Sequence, residues 1–322
     1  MSFYREDYVK VKKNFEDRRR NAEDKALEDK RKIACADIPG LKEICDKLDA
    51  TGPRVYAAAL EGKESYAKKL MAIRRENEEL LKKQSELLLS HGYPEDYFDI
   101  EYNCPICHDE GNVNGKMCVC MKNELIKAGY ESSGISGLCD KMSFDTFDLS
   151  YYSGADRKNM EVIVERARDF AEDFRDTGSG SILFFGGTGL GKTHLSVAVA
   201  KRVIEGGHWC VYTTAGTLFT DLRDTRFTDD KSERDNINKY YDCELLVIDD
   251  LGTELNGRDV VPFLYNLLNS RINTKKSTLI STNLSQNKLL ELYDDRIVSR
   301  LFGEFLPFRF TGKDVRMQKL QR

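Results

Sequence analysis

The amino-acid sequence predicts an α/β fold, in which a five-stranded parallel β-sheet with helices on both faces follows an α-helical region. Two observations predict the sheet. Short apolar runs alternate with helical patterns through residues 156–322, as expected when helical crossovers join parallel strands. One strand–helix unit contains a glycine-rich loop, which is typical of a phosphate-binding site. A third observation, a cluster of four cysteines between residues 104 and 120, predicts a separate metal-binding module before the sheet.

The composition excludes several classes of protein. The 322 residues are enough for about two domains. A content of 40% hydrophobic and 32% charged residues allows a core beside a highly charged part. The net charge of −4 does not by itself indicate a nucleic-acid-binding protein. The first residues are charged and no apolar run approaches about 18 residues, so we expect no signal peptide, no membrane span and a cytoplasmic location.

Residues 1–92 form the first predicted segment, an α-helical region. A helix is expected over Lys63–Ser90, because seam residues recur there at alternating spacings of four and three, which is a heptad pattern. Two seam positions are polar, Asn77 and Gln84, so the seam is weaker than that of a long coiled coil. An intramolecular helical hairpin and a partner-binding or self-associating helix are both compatible with this pattern.

Residues 93–130 form the second segment, a predicted zinc-binding module. It contains one C-x-x-C and one C-x-C pair, and the glycines and asparagines between them favour a turn that brings the pairs together. Four thiolates can complete a tetrahedral structural zinc site, with His108 as a substitute ligand if one thiolate is not used. A redox role is disfavoured, because no βαβ pattern surrounds the C-x-x-C pair. The predicted ligands are Cys104, Cys107, Cys118 and Cys120.

Residues 131–155 are predicted to link this module to a domain at residues 156–322. The stretch that begins at Glu131 is rich in serine and glycine, which favours a linker. Two phenylalanines and two tyrosines follow between residues 144 and 152. These aromatic residues either line the base of a nucleotide or cap the core of the next domain.

A phosphate-binding loop is the strongest functional signal. Residues 181–185 predict a buried strand, Gly186–Thr193 matches G-x-x-x-x-G-K-[ST], and Lys192–Glu205 predicts a helix. Glycines let backbone N–H groups turn toward a phosphate, and the helix N-terminus adds its dipole. Lys192 supplies a cation for the β- and γ-phosphates, and the Thr193 hydroxyl is a ligand for Mg²⁺. The predicted nucleotide contacts here are Gly186, Gly187, Thr188, Gly189, Leu190, Gly191, Lys192, Thr193 and His194.

Polar residues end two further predicted strands. The apolar run at 245–248 stops at Asp249 and Asp250, and the run at 278–282 stops at Asn283. Ligands bind at the carboxyl ends of parallel strands. Asp249 is the expected carboxylate ligand of Mg²⁺, and Asp250 is positioned to orient or deprotonate the attacking water. Asn283 either hydrogen-bonds the water or the γ-phosphate, or caps the next helix.

Two arginines share one predicted helix face in the last part of the sequence. Arg296 and Arg300 have a spacing of i, i+4, so a helix presents them on the same side. They are either surface charges or groups that reach into the nucleotide of a neighbouring subunit.

Four motifs and the cysteine cluster together resemble one family. The motifs are GGTGLGKTHL, LLVIDDLGTE, STN and RIVSRL. In this combination the chain resembles the AAA+ helicase loaders of bacterial replication, the DnaC/DnaI family. Its front half is similar to the loaders of Gram-positive bacteria and their phages through HGYPEDY, CPIC…CVC and FDTFDLSYY. The resemblance covers most of residues 65–322.

The resemblance implies an AAA+ P-loop NTPase core without the helical lid that most AAA+ proteins carry, and an ATPase that uses ATP and Mg²⁺. Asp250 corresponds to the water-activating acid and Asn283 to sensor 1. Arg300 corresponds to the arginine finger, with Arg296 as second choice, and Arg316 to a sensor-2 arginine that contacts the nucleotide. A finger supplied by a neighbouring subunit makes hydrolysis depend on assembly.

The implied function is ATP-dependent loading of the replicative hexameric DNA helicase onto single-stranded DNA, with slow, assembly- or DNA-stimulated hydrolysis. The helical and zinc-binding front region would bind the helicase, and the ATPase domain would self-assemble and contact single-stranded DNA. Three alternatives are open at this point. They are a transposition-accessory AAA+ ATPase that acts on double-stranded DNA, an ATP-gated adaptor that works by binding rather than turnover, and a replication-linked regulator without DNA contact.

Overall fold

The structure is a computed structural model that describes residues 3–60, 63–175, 178–225, 231–252 and 260–321. The chain divides into two compact units. The first consists of residues 12–120, and the second combines residues 1–11 with residues 121–322. Within the ranges given above, no helix is long and apolar enough to cross a membrane.

The first unit is built mainly from helices, which are followed by a small hairpin. The helices are α1 (Arg5–Asp24), whose first residues belong to the second unit, α2 (Arg31–Asp37), α3 (Leu41–Asp49), α4 (Thr51–Leu60) and α5 (Lys63–Ser90). A π-helical segment, Lys25–Lys30, joins α1 to α2. The hairpin consists of β1 (Asn112–Val113) and β2 (Lys116–Met117), which pair in antiparallel orientation.

Helix α5 has the bounds that the heptad pattern predicts, and its seam packs against the same chain. Asn77 Oδ1 accepts a hydrogen bond from Thr51 Oγ1 on α4 at 2.9 Å. Gln84 Nε2 donates to Cys45 Sγ on α3 at 3.4 Å. The buried apolar seam positions are Ile73 and Leu80. Of the two interpretations of the seam, the structure therefore contains the intramolecular helical hairpin.

The second unit contains the predicted parallel sheet. Its strands are β3 (Ile182–Gly186), β4 (Cys210–Thr214), β5 (Leu245–Leu251), β6 (Ser277–Thr282) and β7 (Leu306–Phe310). They lie in the order β4-β5-β6-β3-β7, and every neighbouring pair is parallel. The predicted five-stranded parallel sheet is thus confirmed. The carboxyl ends of β5, β6 and β3 lie side by side at one edge.

Helices cover both faces of this sheet, as the uninterrupted apolar strands predict. They are α6 (Val119–Ser133), α7 (Gly154–Glu172), α8 (Lys192–Glu205), α9 (Ala215–Thr225), α10 (Lys231–Asp242), α11 (Val260–Asn273), α12 (Gln286–Leu292), α13 (Asp295–Gly303) and, after β7, the short helix α14 (Val315–Leu320). Ile182 and Phe184 of β3 pack in one hydrophobic cluster with α7 and α8. Leu183, between them, packs in a second cluster with α9, α11 and α13. Successive side chains of a strand point to opposite faces, so the two clusters lie on opposite sides of the sheet.

The division of the chain differs from the predicted boundaries. The predicted linker, residues 131–155, and the end of the predicted zinc-binding module both belong to the second unit, and α6 continues as far as Ser133. Ile135, Cys139 and Tyr152 are buried in the same hydrophobic cluster as α7 and α8. The serines and glycines favour a flexible connection, but the apolar residues between them bury enough surface to make the segment part of the core.

Candidate functional site

The glycine-rich loop joins β3 to α8 and uses backbone conformations that glycine adopts readily. Gly186, Gly189 and Gly191 have φ angles of 139°, 69° and 82°, in the region that side chains disfavour. A Cβ atom at Gly186 would also collide with the carbonyl group of Phe310 on β7. The loop therefore lies against the neighbouring strand in a way that only glycine permits at this position.

Lys192, the first residue of α8, is the central cation of the site and is only 4% exposed. Its Nζ donates to the carbonyl oxygens of Gly186 and Gly187 at 2.8 and 2.6 Å, and to Asn283 Oδ1 at 2.5 Å. Burial lowers the pKa of Lys192 to about 8, although the attraction of nearby carboxylates, that of Asp250 first, raises it.

Asp250 and Asn283 lie beside this lysine, as the strand-end pattern predicts. Asn283 Nδ2 donates to Asp250 Oδ1 at 3.1 Å, so the amide bridges the ammonium group and the carboxylate. Asp250 has a φ angle of 56°, which is uncommon for a residue other than glycine, at an irregularity in the pairing of β5 with β6. Burial, and then the negative charge of Asp249, raise the pKa of Asp250.

Asp249 is 3% exposed, and both of its carboxylate oxygens accept hydrogen bonds from hydroxyl groups. Ser281 Oγ on β6 donates to Oδ1 at 2.5 Å, and Tyr212 OH on β4 donates to Oδ2 at 2.8 Å. The backbone N–H of Asp250 donates to the same Ser281 Oγ at 3.0 Å. Sequence motifs do not point to Tyr212 as a site residue, because only the strand order brings its hydroxyl to Asp249.

A cavity of about 230 Å³ lies over the loop. Its lining includes these predicted site residues: Thr188, Gly189, Leu190, Gly191, Lys192, Thr193, His194, Asp250, Asn283 and Arg316. Gly186 and Gly187 line an adjacent cavity together with Asn283. The first cavity is also lined by Met142, Val315 and Lys319, which no motif predicts. The sequence could have indicated Lys319, because it lies three residues after Arg316 and a helix therefore presents both cations on one side of α14.

The aromatic run before α7 packs against the loop. Tyr152 OH donates to the carbonyl oxygen of Leu190 at 3.0 Å, and the ring centroids of Phe147 and His194 lie 5.2 Å apart, edge to face. His194 Nε2 lies 2.9 Å from the carbonyl oxygen of Ser143, and burial lowers the pKa of His194. Tyr152 belongs to the buried core and Phe147 packs on it. Of the two interpretations of this run, the one in which it caps the core is confirmed.

Arg296 and Arg300 both lie on α13, as predicted, and neither lines the cavity over the loop. Arg300 donates to Asn269 Oδ1 and, at 3.1 Å, to Tyr265 OH. The guanidinium carbon of Arg300 lies 4.5 Å from the centroid of the Tyr265 ring, and that of Arg296 lies 5.3 Å from it. Arg296 also forms an ion pair with Asp294 at 2.9 Å. The described part of the chain thus keeps both arginines away from its own nucleotide cavity.

The four predicted zinc ligands converge in the first unit. Their Sγ atoms all lie within 4.8 Å of one another, and the residues are Cys104, Cys107, Cys118 and Cys120. The buried carboxylate of Asp109 accepts hydrogen bonds from the backbone N–H groups of Asn103 and Cys104, both at 2.9 Å. The N–H of Gly111 donates to Cys107 Sγ at 3.3 Å. These contacts hold the turn between the two pairs in the conformation that brings the thiols together.

His108, the predicted substitute ligand, is not part of this cluster. Its ring stacks on that of Tyr102, with 5.0 Å between the centroids. His108 and Asp109 have φ angles of 49° and 56°, and these left-handed residues turn the chain after the first cysteine pair. The geometry favours four thiol ligands without the histidine.

A glycine loop before a helix, a buried lysine at the end of the loop and acids at the end of another parallel strand of the sheet define a P-loop nucleotide-binding protein. A family model described as IstB-like ATP binding protein matches residues 131–302, and the chain belongs to this family. The match includes every element from β3 to α12 and nearly all of α13, and therefore most of the candidate site. Thr253 and Glu254, which complete the motif LLVIDDLGTE, lie outside the described residues.

Relatives agree with the family that the motifs predict. The Replicative helicase loader DnaC of Escherichia coli (strain K12) is 24% identical over 172 residues, which are 53% of this chain and 67% of the relative. The Replicative helicase loader DnaC of Buchnera aphidicola subsp. Acyrthosiphon pisum (strain APS) is 25% identical over 170 residues, which are 52% of this chain and 66% of the relative. The family match and these relatives confirm the predicted DnaC-like helicase loader family.

The chain is similar to two solved structures of helicase-loader proteins. A crystal structure of the DnaC helicase loader aligns with a TM-score of 0.48 and 21% identity, over 54% of this chain and 98% of that chain. A crystal structure of DnaI aligns with a TM-score of 0.45 and 19% identity, over 55% and 91% of the two chains. The fold assignment itself rests on the strand order and the helices on both faces of the sheet.

Nucleotide affinity is expected to fall as the pH rises above about 8. In the nucleotide-free protein Lys192 loses its proton near this pH, because its pKa is about 8. A bound polyphosphate favours the charged ammonium group. Above this pH the protein must therefore take up a proton when it binds the nucleotide, and this uptake weakens binding. The dissociation constant of ADP, measured by calorimetry without Mg²⁺, should be constant near pH 7 and rise by up to about tenfold per pH unit above about 8.

Lys201→Ala is the matched control for this measurement. Lys201 lies on the same helix, but its Nζ donates to the carbonyl oxygen of Cys139 instead of the loop. The variant should keep the pH profile of the wild-type chain. A dissociation constant that stays flat well above pH 8 in the wild-type chain would contradict the role of Lys192.

Proposed function

We propose that this chain is an ATPase that loads the replicative hexameric DNA helicase onto single-stranded DNA. The observation that carries the proposal is the family match over residues 131–302, which contains most of the candidate nucleotide site. Relatives that match about half of this chain are named replicative helicase loaders. The site and the family support ATP as the nucleotide, and the relatives' names support a replicative helicase as the partner. Single-stranded DNA is part of the proposal.

The donors of the candidate site suit ATP and Mg²⁺. Backbone N–H groups of the loop and the ammonium group of Lys192 bind the phosphates. The Thr193 hydroxyl and the Asp249 carboxylate are oxygen ligands of the kind that Mg²⁺ prefers. The ion, when bound, neutralises charge that develops on the phosphates. Asp250 orients or deprotonates the attacking water, and Asn283 hydrogen-bonds that water or the γ-phosphate.

Arginines from two sources complete the proposed site. Arg316 lines the cavity of its own chain and contacts the phosphates there. Arg300, with Arg296 as second choice, acts on the nucleotide of a neighbouring copy. Support for this assignment comes from the contacts of Arg300 with Tyr265 and Asn269, which hold it outside its own cavity. Hydrolysis then requires self-assembly through the ATPase unit.

Arg300→Ala is expected to slow steady-state ATP hydrolysis by at least about 10³-fold without changing ATP affinity, because a finger stabilises the transition state. Lys192→Ala is expected to lose nucleotide binding. A mixture of the two variants should regain activity, because the Lys192→Ala chain offers its intact Arg300 to the intact nucleotide site of its neighbour. Hydrolysis is measured by phosphate release at several protein concentrations.

The control for this experiment is Arg157→Ala, which removes an exposed arginine of α7 that pairs with Glu161. This variant should hydrolyse ATP at the wild-type rate. A mixture as inactive as its components, or an Arg300→Ala chain as active as the wild type, would contradict the proposed finger. Arg296→Ala, measured in parallel, tests whether Arg296 instead of Arg300 is the arginine that acts on the neighbouring nucleotide.

We extend the proposal to zinc at the four-cysteine cluster. Two short chelating pairs of thiolates are common ligands of structural zinc, and the Sγ atoms are near enough to share one ion. The hairpin beside them has strands of two residues each, which cannot form a core of their own. An ion that cross-links the pairs stabilises such a segment, and with it the front unit that we propose binds the helicase.

Elemental analysis of the purified chain is expected to find one zinc ion per molecule. Cys107→Ser should lose most of this zinc, because three thiolates hold the ion more weakly than four. Cys35→Ser is the matched control, since Cys35 lies in the same unit outside the cluster, and it should keep the full amount. A wild-type chain that contains no metal after growth with added zinc would refute the assignment.

Co-purification with the cognate replicative helicase tests the function itself. The tagged wild-type chain should retain the helicase and transfer it to single-stranded DNA in the presence of ATP. Lys192→Ala should fail in the transfer. Loss of transfer in Asp250→Ala, in which the bound nucleotide is not hydrolysed, would exclude an adaptor that works by binding alone.

The outcome also decides between the loader and the other candidate functions. Absence of helicase binding together with preference for double-stranded DNA would refute the loader and favour a transposition-accessory ATPase. Helicase binding without any salt-dependent affinity for single-stranded DNA would favour a regulator that has no DNA contact. Arg157→Ala again serves as the control variant, with wild-type behaviour expected in each assay.

A further inference from the structure

The carboxylate of Asp249 is held by hydroxyl groups from the two strands that flank β5. Tyr212 OH on β4 donates to Oδ2 at 2.8 Å, and Ser281 Oγ on β6 donates to Oδ1 at 2.5 Å. Each oxygen therefore has one hydroxyl donor, and the two donors come from opposite sides. Tyr212 belongs to none of the motifs that identify the family.

The register of the sheet explains how Tyr212 reaches this carboxylate. Thr214 of β4 pairs with Asp249 of β5, and Tyr212 lies two residues before Thr214, on the same face of the sheet. Diagonal neighbours on adjacent strands are within reach of a long aromatic side chain. A tyrosine at this position can therefore put its hydroxyl at the end of β5, and a phenylalanine would fill the same space without the donor.

We propose that Tyr212 is a positioning residue for Asp249, the assigned ligand of Mg²⁺, and that Ser281 couples this carboxylate to Asp250. A buried carboxylate that was free to rotate would turn toward the ammonium group of Lys192, because their attraction is strong where water is excluded. One hydroxyl on each oxygen fixes the plane of the carboxylate and leaves further lone pairs for the ion.

Ser281 extends this arrangement to the second acid of the site. Its Oγ accepts a hydrogen bond from the backbone N–H of Asp250 at 3.0 Å while it donates to Asp249. Hydrogen bonds that share a hydroxyl group polarise and strengthen one another. One side chain thus joins the carboxylate of the metal ligand to the backbone of the water-activating acid.

This inference rests on the proposed ATPase function and deepens it by naming what holds the metal ligand. A purely structural hydroxyl would stabilise the sheet equally with and without the ion. A positioning hydroxyl changes the affinity for the nucleotide only when the ion is bound. The Mg²⁺ dependence of nucleotide affinity therefore separates the two roles.

The experiment compares Tyr212→Phe with the wild-type chain by titration of a fluorescent ATP analogue in Mg²⁺ and in EDTA. We expect equal affinities in EDTA, and a gain in affinity on adding Mg²⁺ that is about tenfold smaller for the variant. In ATPase assays, kcat should fall about tenfold and the Mg²⁺ concentration for half-maximal rate should rise by a similar factor.

Tyr240→Phe is the matched control. Tyr240 is buried and its OH donates to Asp221 at 2.5 Å, so this variant also removes a tyrosine–carboxylate hydrogen bond, but outside the nucleotide cavity. It should behave as the wild type in both assays. If Tyr212→Phe shows the same Mg²⁺ dependence as Tyr240→Phe, the inference is overturned.

Lys192→Ala, measured beside these variants, separates failure of the inference from failure of the proposed function. If Lys192→Ala abolishes hydrolysis while Tyr212→Phe keeps the wild-type Mg²⁺ dependence, only the role of Tyr212 is refuted. If the wild-type chain does not hydrolyse ATP at all, the ATPase proposal fails. The affinity titration in Mg²⁺ and EDTA still decides the role of Tyr212 in that case.

Discussion

A buried ammonium group determines the arrangement of the candidate site. Lys192 is almost inaccessible to solvent, and a charge in such a position is stable only with several close acceptors and opposing charges. The loop carbonyls and Asn283 accept its hydrogen bonds, and the attraction of Asp250 and Asp249 favours its charged form. This requirement brings together three segments that are distant in the sequence: the loop after β3 and the ends of β5 and β6.

The strand order explains why these three segments meet. Strand β6 lies between β5 and β3, and all three are parallel, so their carboxyl ends emerge at the same edge. Parallel strands need crossover helices, and these helices cover both faces of the sheet. The continuous apolar runs in the sequence are therefore a consequence of burial on two sides. Polar residues can appear only where a strand leaves the core, and this is where Asp249, Asp250 and Asn283 stand.

Local sequence patterns were sufficient for the elements but not for every contact between them. The helix Lys63–Ser90 has the predicted bounds because heptad spacing is a local property, and the loop and strand-end acids were predicted because each follows an apolar run. Tyr212 could not be predicted as a partner of Asp249, because a tyrosine in a strand is ordinary and only the strand order selects its neighbours. The place of segment 131–155 in the second unit could not be predicted, because its serine and glycine content carries no information about which of its apolar residues are buried.

The two arginines of α13 differ in how firmly the fold holds them. Arg296 is exposed and pairs with Asp294 beside it, so an interface would have to order its side chain at a cost in entropy. Arg300 already donates to Asn269, to Tyr265 and to the carbonyl oxygen of Arg296, and it stacks on the Tyr265 ring. These hydrogen bonds use three of the five N–H donors of a guanidinium group. A group that is oriented in advance and keeps donors for a phosphate oxygen loses less freedom on binding, which favours Arg300 over Arg296 as the residue that a neighbouring nucleotide would meet.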